Sequence, residues 1–216
     1  MATKSSMRVD CPSCGESFDA DFWTVVRGDR DTGLKEAILS GEFDLLMCPR
    51  CRGVFSREET FIYLDPDMEL LAFVMPSAYA GESAKWTAKM REDYEAVRPT
   101  LFQGKPVDYE PRCLFGLDEL TALLLRDRDA EEETDVMAFM AREADLRLAP
   151  LLPSRARERD ILFSAPYSGP EPTRGAAIEA LKKIEAANDA LVRVKRTREV
   201  FEKLSGDALP FLKKQP

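Results

Sequence analysis

The sequence predicts an α+β fold: a small antiparallel β domain with one inserted helix, followed by packed helices and a long C-terminal helix. Three observations carry that expectation. The motif Cys-Pro-x-Cys is written twice, in CPSCGESF at 11–18 and in CPRCRGVF at 48–55. At 7–10 and 17–26 apolar and polar residues alternate as half-buried strands require, and TFIYL and ELLAFVM flank a turn tripeptide as a hairpin does. From Ser83 onward apolar residues recur at helical spacing instead.

Taken in order, residues 1–6 are expected to be a disordered tail, and 7–10 and 17–26 (SFDADFWTVV) to be strands flanking the first cysteine pair. Asp31-Thr32 should cap a short helix through Leu34, Lys35, Ala37, Ile38 and Leu39, with Gly41 at its stop. A strand through Phe43, Leu45 and Leu46 then delivers the second pair. TFIYL and ELLAFVM, on either side of the turn tripeptide Asp65-Pro66-Asp67, form a hairpin. Residues 7–80 thus read as the β core, and 81–149 as the helical part of the same domain.

Trp86, Met90, Tyr94 and Val97 mark a helix that Pro99 stops. Pro99, Gly104, Pro106 and Pro111 make 99–111 a loop. A strand at Cys113–Phe115 leads to a helix over about 117–125. A second helix follows over about 130–146, with Val136, Phe139, Met140 and Ala144 as its apolar stripe. The run Glu131-Glu132-Glu133 opens that helix as a solvated start, where negative charge suits the dipole. Five prolines make 150–173 a linker, with a short strand at 161–165. A single long helix is expected over 174–204 and a tail over 205–216. Its heptad columns are Ala177, Ile184, Leu191 and Arg198, and Ala180, Ala187, Val194 and Phe201. That segment therefore either pairs between chains or packs on its own domain.

A chain of 216 residues at 44% hydrophobic content can bury a core. It contains no histidine, which excludes imidazole bases, His-based triads and His-ligated catalytic metal. No apolar run reaches the roughly 18–20 residues of a membrane span, and MATKSS lacks a signal-peptide pattern, so the expected location is cytoplasmic. The net charge is −8, and residues 1–80 hold 8 basic against 14 acidic side chains. That sign opposes phosphate binding.

The cysteines carry the chemistry. A two-residue gap lets both sulfurs of a pair point into one turn. Proline after the first cysteine fixes φ, and glycine after the second permits the left-handed bend. Two such turns face to face supply a closed tetrahedral set of four sulfurs, the zinc-ribbon-like arrangement, from Cys11, Cys14, Cys48 and Cys51. Zinc is the expected ion. Iron in a rubredoxin-like site uses the same turn and is the alternative. A thioredoxin-like pair would open a helix, whereas CPSCG leads into an alternating strand, and structural disulfides do not suit the cytoplasm. Cys113 reads as a buried strand residue. The second turn departs from the first: Cys14 is followed by Gly15, but Cys51 by Arg52, with the glycine one place later at Gly53. Either Arg52 adopts a strained backbone or the bend shifts by one residue, and its charge could also offset the thiolates.

The segments VDCPSCGESFDADFWTVV, LKEAILSGEF, LLMCPRC and FIYLDPDMELLAFVMP, with CLFGLDELTALL further on, resemble the bacterial CpXC domain, named for its paired Cys-Pro-x-Cys motifs. The resemblance spans about residues 7–130. It implies that Cys11, Cys14, Cys48 and Cys51 are the metal-binding positions, and it brings no established biochemical activity with it.

The expected function is a non-enzymatic metal-binding protein whose zinc ribbon is a structural staple or a protein-interaction module. Phe61, Tyr63 and Phe73 are candidate docking aromatics if they do not pack in the core. Nucleic-acid association is the alternative, supported by Arg193, Lys195, Arg196 and Arg198. An enzyme with an unrecognised carboxylate site is the second alternative. Pairs such as Asp65/Asp67 and Glu58/Glu59 read as turn and solvation residues. Partners expected are another protein, or self-association through Arg174–Leu204, with no membrane.

Overall fold

The computed structural model of the chain describes residues 2–101 and 109–213. It is an α+β structure in which an N-terminal sheet is followed by helices. The chain forms two compact units, Met1–Leu124 and Leu125–Pro216. The first unit opens on strands β1 (Thr3–Asp10) and β2 (Ser17–Arg27), helix α1 (Thr32–Ser40), and the short strands β3 (Leu45–Met47) and β4 (Val54–Ser56). Then come β5 (Phe61–Asp65), β6 (Leu70–Met75), helix α2 (Ser83–Leu101), β7 (Arg112–Phe115) and the start of helix α3 (Leu117–Glu143).

Five of these strands form one sheet in the order β1-β2-β5-β6-β7, and β3 and β4 pair separately. In β6 every residue is buried, because both faces of the sheet are covered. Phe61, Tyr63, Ala72 and Val74 pack with Ile38 of α1 and Leu120 of α3. On the other face Leu64, Leu71 and Phe73 pack with Met90 and Tyr94 of α2. The three candidate docking aromatics are therefore core residues. Gly28, leaving β2, donates its N–H to the Leu64 carbonyl at 2.9 Å. A β-carbon there would collide with the Tyr63 hydroxyl, so this crossing needs glycine.

Several local expectations change. Residues 3–6 are strand, not tail, because the long partner strand β2 offers them a ladder, with Lys4 opposite Trp23. Asp31 precedes α1 but caps it with no side-chain bond. Its carboxylate accepts from the Arg27 N–H at 3.2 Å instead. Helix α2 runs on through Pro99 to Leu101. The centre of the expected loop, with Gly104 and Pro106, lies outside the described residues, as do the Val97 side chain and residues 214–216.

Helix α3 is one helix rather than two. The break expected near 126–129 arises from a charged residue in a buried position. Asp127 grips Arg157 through contacts of 2.8–2.9 Å, with side chains only 7% and 1% exposed. The buried stripe continues through Ala130, Met137 and Ala141; of the expected stripe, Met140 packs against this core, whereas Val136 and Phe139 are exposed.

The second unit completes α3 and adds β8 (Arg147–Pro150), α4 (Pro153–Arg159), β9 (Ser164–Tyr167), α5 (Arg174–Ala187) and α6 (Val192–Lys203). The expected linker is core: Leu151, Ala156, Ile161, Leu162 and Ala165 are buried. Its prolines sit where proline is tolerated, Pro153 at a helix start and Pro150 and Pro166 in the two-stranded β8–β9 sheet. Residues 174–204 are helical as expected but break at 188–191, where the Asn188 side chain accepts the Ala190 N–H at 3.1 Å. The heptad residues Ala177, Ala180, Ile184, Leu191, Val194 and Phe201 are consequently buried within their own unit. The C-terminal segment is also docked: Leu209 is buried, and Leu152 donates to the Phe211 carbonyl at 2.7 Å.

Candidate metal centre

The two cysteine turns have the same hydrogen-bonded frame. In the first, between β1 and β2, Gly15 N–H donates to Cys11 C=O at 2.9 Å and Cys11 N–H to Glu16 C=O at 2.8 Å. In the second, between β3 and β4, Arg52 N–H donates to Cys48 C=O at 2.9 Å and Cys48 N–H to Gly53 C=O at 3.0 Å. Gly15 adopts φ 70° and Arg52 φ 60°. The bend thus does not shift, and Arg52 accepts the left-handed conformation that glycine holds in the first copy. Gly53 serves closeness instead. Its N–H approaches Cys51 Sγ at 3.4 Å, and a β-carbon would stand 3.3 Å from that sulfur.

These frames bring four sulfurs together. Cys11 Sγ lies 3.6 Å from Cys51 Sγ, Cys14 Sγ lies 3.7 Å from Cys48 Sγ, and all four are within 4.8 Å of one another. A tetrahedron with metal–sulfur bonds of about 2.3 Å has edges of about 3.8 Å. Each close pair takes one sulfur from each turn, so the set closes only when the two hairpins meet. None of these cysteines is in a disulfide. The residues present fit a metal ion held by four soft donors. Cys113 lies apart in β7, half-buried and packed on the α2 side of the sheet, where burial pushes its thiol up.

The electrostatics point the same way. Burial raises the Cys11 thiol, but the N–H groups of Cys14 and Ser13 outweigh it and hold Cys11 at about 7. The Glu16 N–H favours the Cys14 thiolate, yet burial and the other three sulfurs push it up to about 12. One thiolate forms readily and hinders the next, a repulsion that a divalent cation removes. Cys11 and Cys48, the first of each turn, are buried, whereas Cys51 is exposed.

A small apolar core holds the hairpins against each other. Phe18 and Phe55, which end the two motifs, meet edge to face with ring centroids 6.3 Å apart, a favoured aromatic geometry. Val9, Ala20 and Phe22 pack with Phe18 and Leu46 beneath them. Since Leu46 and Phe55 turn inward, the alternation of the strands turns Leu45, Met47 and Val54 outward, at 46%, 60% and 64% exposure. This strip escaped sequence reading, in which Leu45 was an ordinary strand residue. The signal was the pairing of LLM with VFS: a three-residue strand has two faces, and only one can be inner.

The other candidates resolve into structural roles. Glu58 accepts the Ser77 N–H and hydroxyl at 2.7 and 2.6 Å, and Glu59 pairs with Arg57 at 2.8 Å. Asp65 accepts the Met68 N–H at 3.2 Å, which closes the hairpin turn. Three arginines of the basic run are held by carboxylates: Arg193 by Glu133 and Asp160, Arg196 by Asp160, and Arg198 by Glu185 and Glu202. Glu133 is not a solvated helix start, because its carboxylate accepts the Arg193 and Val194 N–H groups and so caps α6. Among the described residues no helix is long and apolar enough to cross a membrane.

No curated protein and no solved structure matches the chain. The family model described as CpXC protein matches residues 9–138. That span contains both cysteine turns, the five-stranded sheet from Val9 onward and most of α3, so the chain belongs to the CpXC family.

Proposed function

We propose that this protein is a non-enzymatic metal-binding protein in which Cys11, Cys14, Cys48 and Cys51 hold one zinc ion as a structural staple. The β3–β4 hairpin fixed in this way is a docking surface for another protein. The observation that carries the reading is the closed set of four sulfurs at near-tetrahedral spacing. Four protein donors leave no position for a reacting water or substrate, which is the pattern of structural rather than catalytic zinc. Iron would accept the same donors. Zinc is favoured as the redox-inert ion for a site with one exposed sulfur. The reduced thiols that the site requires suit a reducing compartment such as the cytoplasm.

Support for docking comes from the exposed Leu45, Met47 and Val54 beside the metal turn. The nucleic-acid reading is weakened by the pairing of Arg193, Arg196 and Arg198 with carboxylates. The test is elemental analysis of the purified chain together with capture of partners by tagged wild type and by Met47→Asp. One zinc per chain, and a partner lost with Met47→Asp, are expected. A metal-free chain, or a red protein with iron absorption, refutes the zinc assignment. A partner retained in full by the variant refutes the surface.

A further inference from the structure

At the base of the β3–β4 hairpin, where it meets the main sheet of the first unit, lies a cavity of about 240 Å³. Aromatic side chains line it: Phe43 and Phe61, with ring centroids 4.8 Å apart, and Trp23. Its rim is charged. Asp21, Asp44, Glu58 and Glu59 face it together with Lys4 and Arg57. Arg57 and Glu59 neutralise each other in their 2.8 Å pair, which leaves three carboxylates against one ammonium. The Asp44 carboxyl is held above its ordinary range by burial and by the nearby Glu58 and Asp118. The Lys4 ammonium stands 4.2 Å from the centre of the Trp23 ring. The chain itself therefore already offers a cation to this aromatic wall, and the site has the negative excess to accept another.

Size narrows the occupant. The cavity is smaller than the roughly 300–1,000 Å³ of sites for drug-sized ligands. One long side chain fits. An aromatic wall beside carboxylates suits a guanidinium, which stacks on rings and binds carboxylates through parallel hydrogen bonds. Leu45 lines the cavity and also begins the exposed strip that continues through Met47 and its cross-strand neighbour Val54. A small molecule filling the cavity would leave that strip uncovered.

We propose that the cavity and the strip form one groove for an extended segment of a partner protein, with an arginine for the cavity and apolar residues at alternate positions for Leu45, Met47 and Val54. This rests on the protein-docking reading above and adds the partner's chemistry to it. The groove is also tied to the metal. Phe43–Leu46 and Arg57–Glu59 bracket the turn that carries Cys48 and Cys51, so release of the metal frees one wall.

The test is fluorescence polarisation with labelled Ser-Arg-Ser-Val-Ser-Val peptide and with the same peptide carrying citrulline, the neutral isostere of arginine. The arginine peptide should bind the metal-loaded chain about tenfold tighter than the citrulline peptide, the value of one desolvated cation–π or charge-assisted contact. Asp44→Asn should reduce that difference several-fold, because Asp21, Glu58 and the ring wall remain. Lys4→Ala, which removes the competing ammonium from an exposed strand position, should tighten the arginine peptide several-fold while leaving the citrulline peptide unchanged. Free arginine amide should compete only weakly, because it leaves the strip bare. Equal affinities for the two peptides, or no binding of either, overturn the proposal. So does Lys4→Ala weakening the arginine peptide, or arginine amide matching the peptide. If both peptides bind equally and both are lost with Met47→Asp, only the cation site fails and the docking reading stands. A chain that captures no partner and binds neither peptide removes both.

Discussion

Arg52 occupies the place that glycine holds in the first turn, and its substitution shows what that asymmetry costs. Arg52 stands at φ 60°, with the same N–H bond to the first cysteine's carbonyl that Gly15 makes at φ 70°. A non-glycine residue in this region costs about 1–2 kcal/mol, and glycine gives back about 0.4–1 kcal/mol through its freer unfolded chain. Arg52→Gly should therefore stabilise the first unit by about 0.5–1 kcal/mol, and Gly15→Arg should destabilise it by a similar amount. For a unit of this size that is a shift of roughly 2–5 °C in each direction.

The assay is thermal unfolding of the metal-loaded protein followed by tryptophan fluorescence. Both tryptophans, Trp23 and Trp86, lie in the first unit, so the signal reports that unit alone. Arg52→Gln keeps the strained backbone but removes the charge, and it should leave stability nearly unchanged because Arg52 is exposed. If Arg52→Gly and Arg52→Gln destabilised equally, the conformational reasoning would be refuted, and charge compensation of the thiolates would be the reason for the arginine.

Removal of the metal with a chelator should disorder the first unit, seen as a red shift of the tryptophan emission and loss of its near-ultraviolet circular dichroism. A structural zinc site supplies on the order of 10–16 kcal/mol, against about 5–15 kcal/mol for the net stability of a whole domain. An unchanged spectrum after verified metal loss would count against the staple. Cys48→Ser should lower the bound metal below one ion per chain, whereas Cys113→Ser, outside the cluster, should leave stoichiometry intact by elemental analysis. Glu133→Ala should uncap α6 and destabilise the second unit by about 1–2 kcal/mol, read as faster hydrogen exchange at the Arg193 and Val194 amides.

Much of the first unit was legible because its signals are local. Cysteine spacing, the Asp-Pro-Asp turn, the alternation of β2 and the apolar runs of β5 and β6 each act within about ten residues, and the strands and the four-sulfur set follow from them. The second unit was read poorly, because its defining interactions are distant in sequence. Residues 126–129 separate two expected helices until Asp127 is seen paired with Arg157, and Glu133 looks solvated until the start of α6 needs a carboxylate. The prolines of 150–173 read as a linker because their positions at helix start and sheet edge exist only once β8 pairs with β9.

By itself, then, the sequence determined the four-cysteine cluster and the turns that present it, since two cysteines with two residues between them in a tight turn point to the same side. Tertiary structure decided which surfaces stayed free. It buried Phe61, Tyr63 and Phe73 by covering both faces of the sheet, and folded the heptad residues of 174–204 into their own core. It also left Leu45, Met47 and Val54 exposed beside a carboxylate-rimmed cavity. The physical reason is that coordination is a short-range bond between named atoms, whereas burial depends on what the rest of the chain brings to each face.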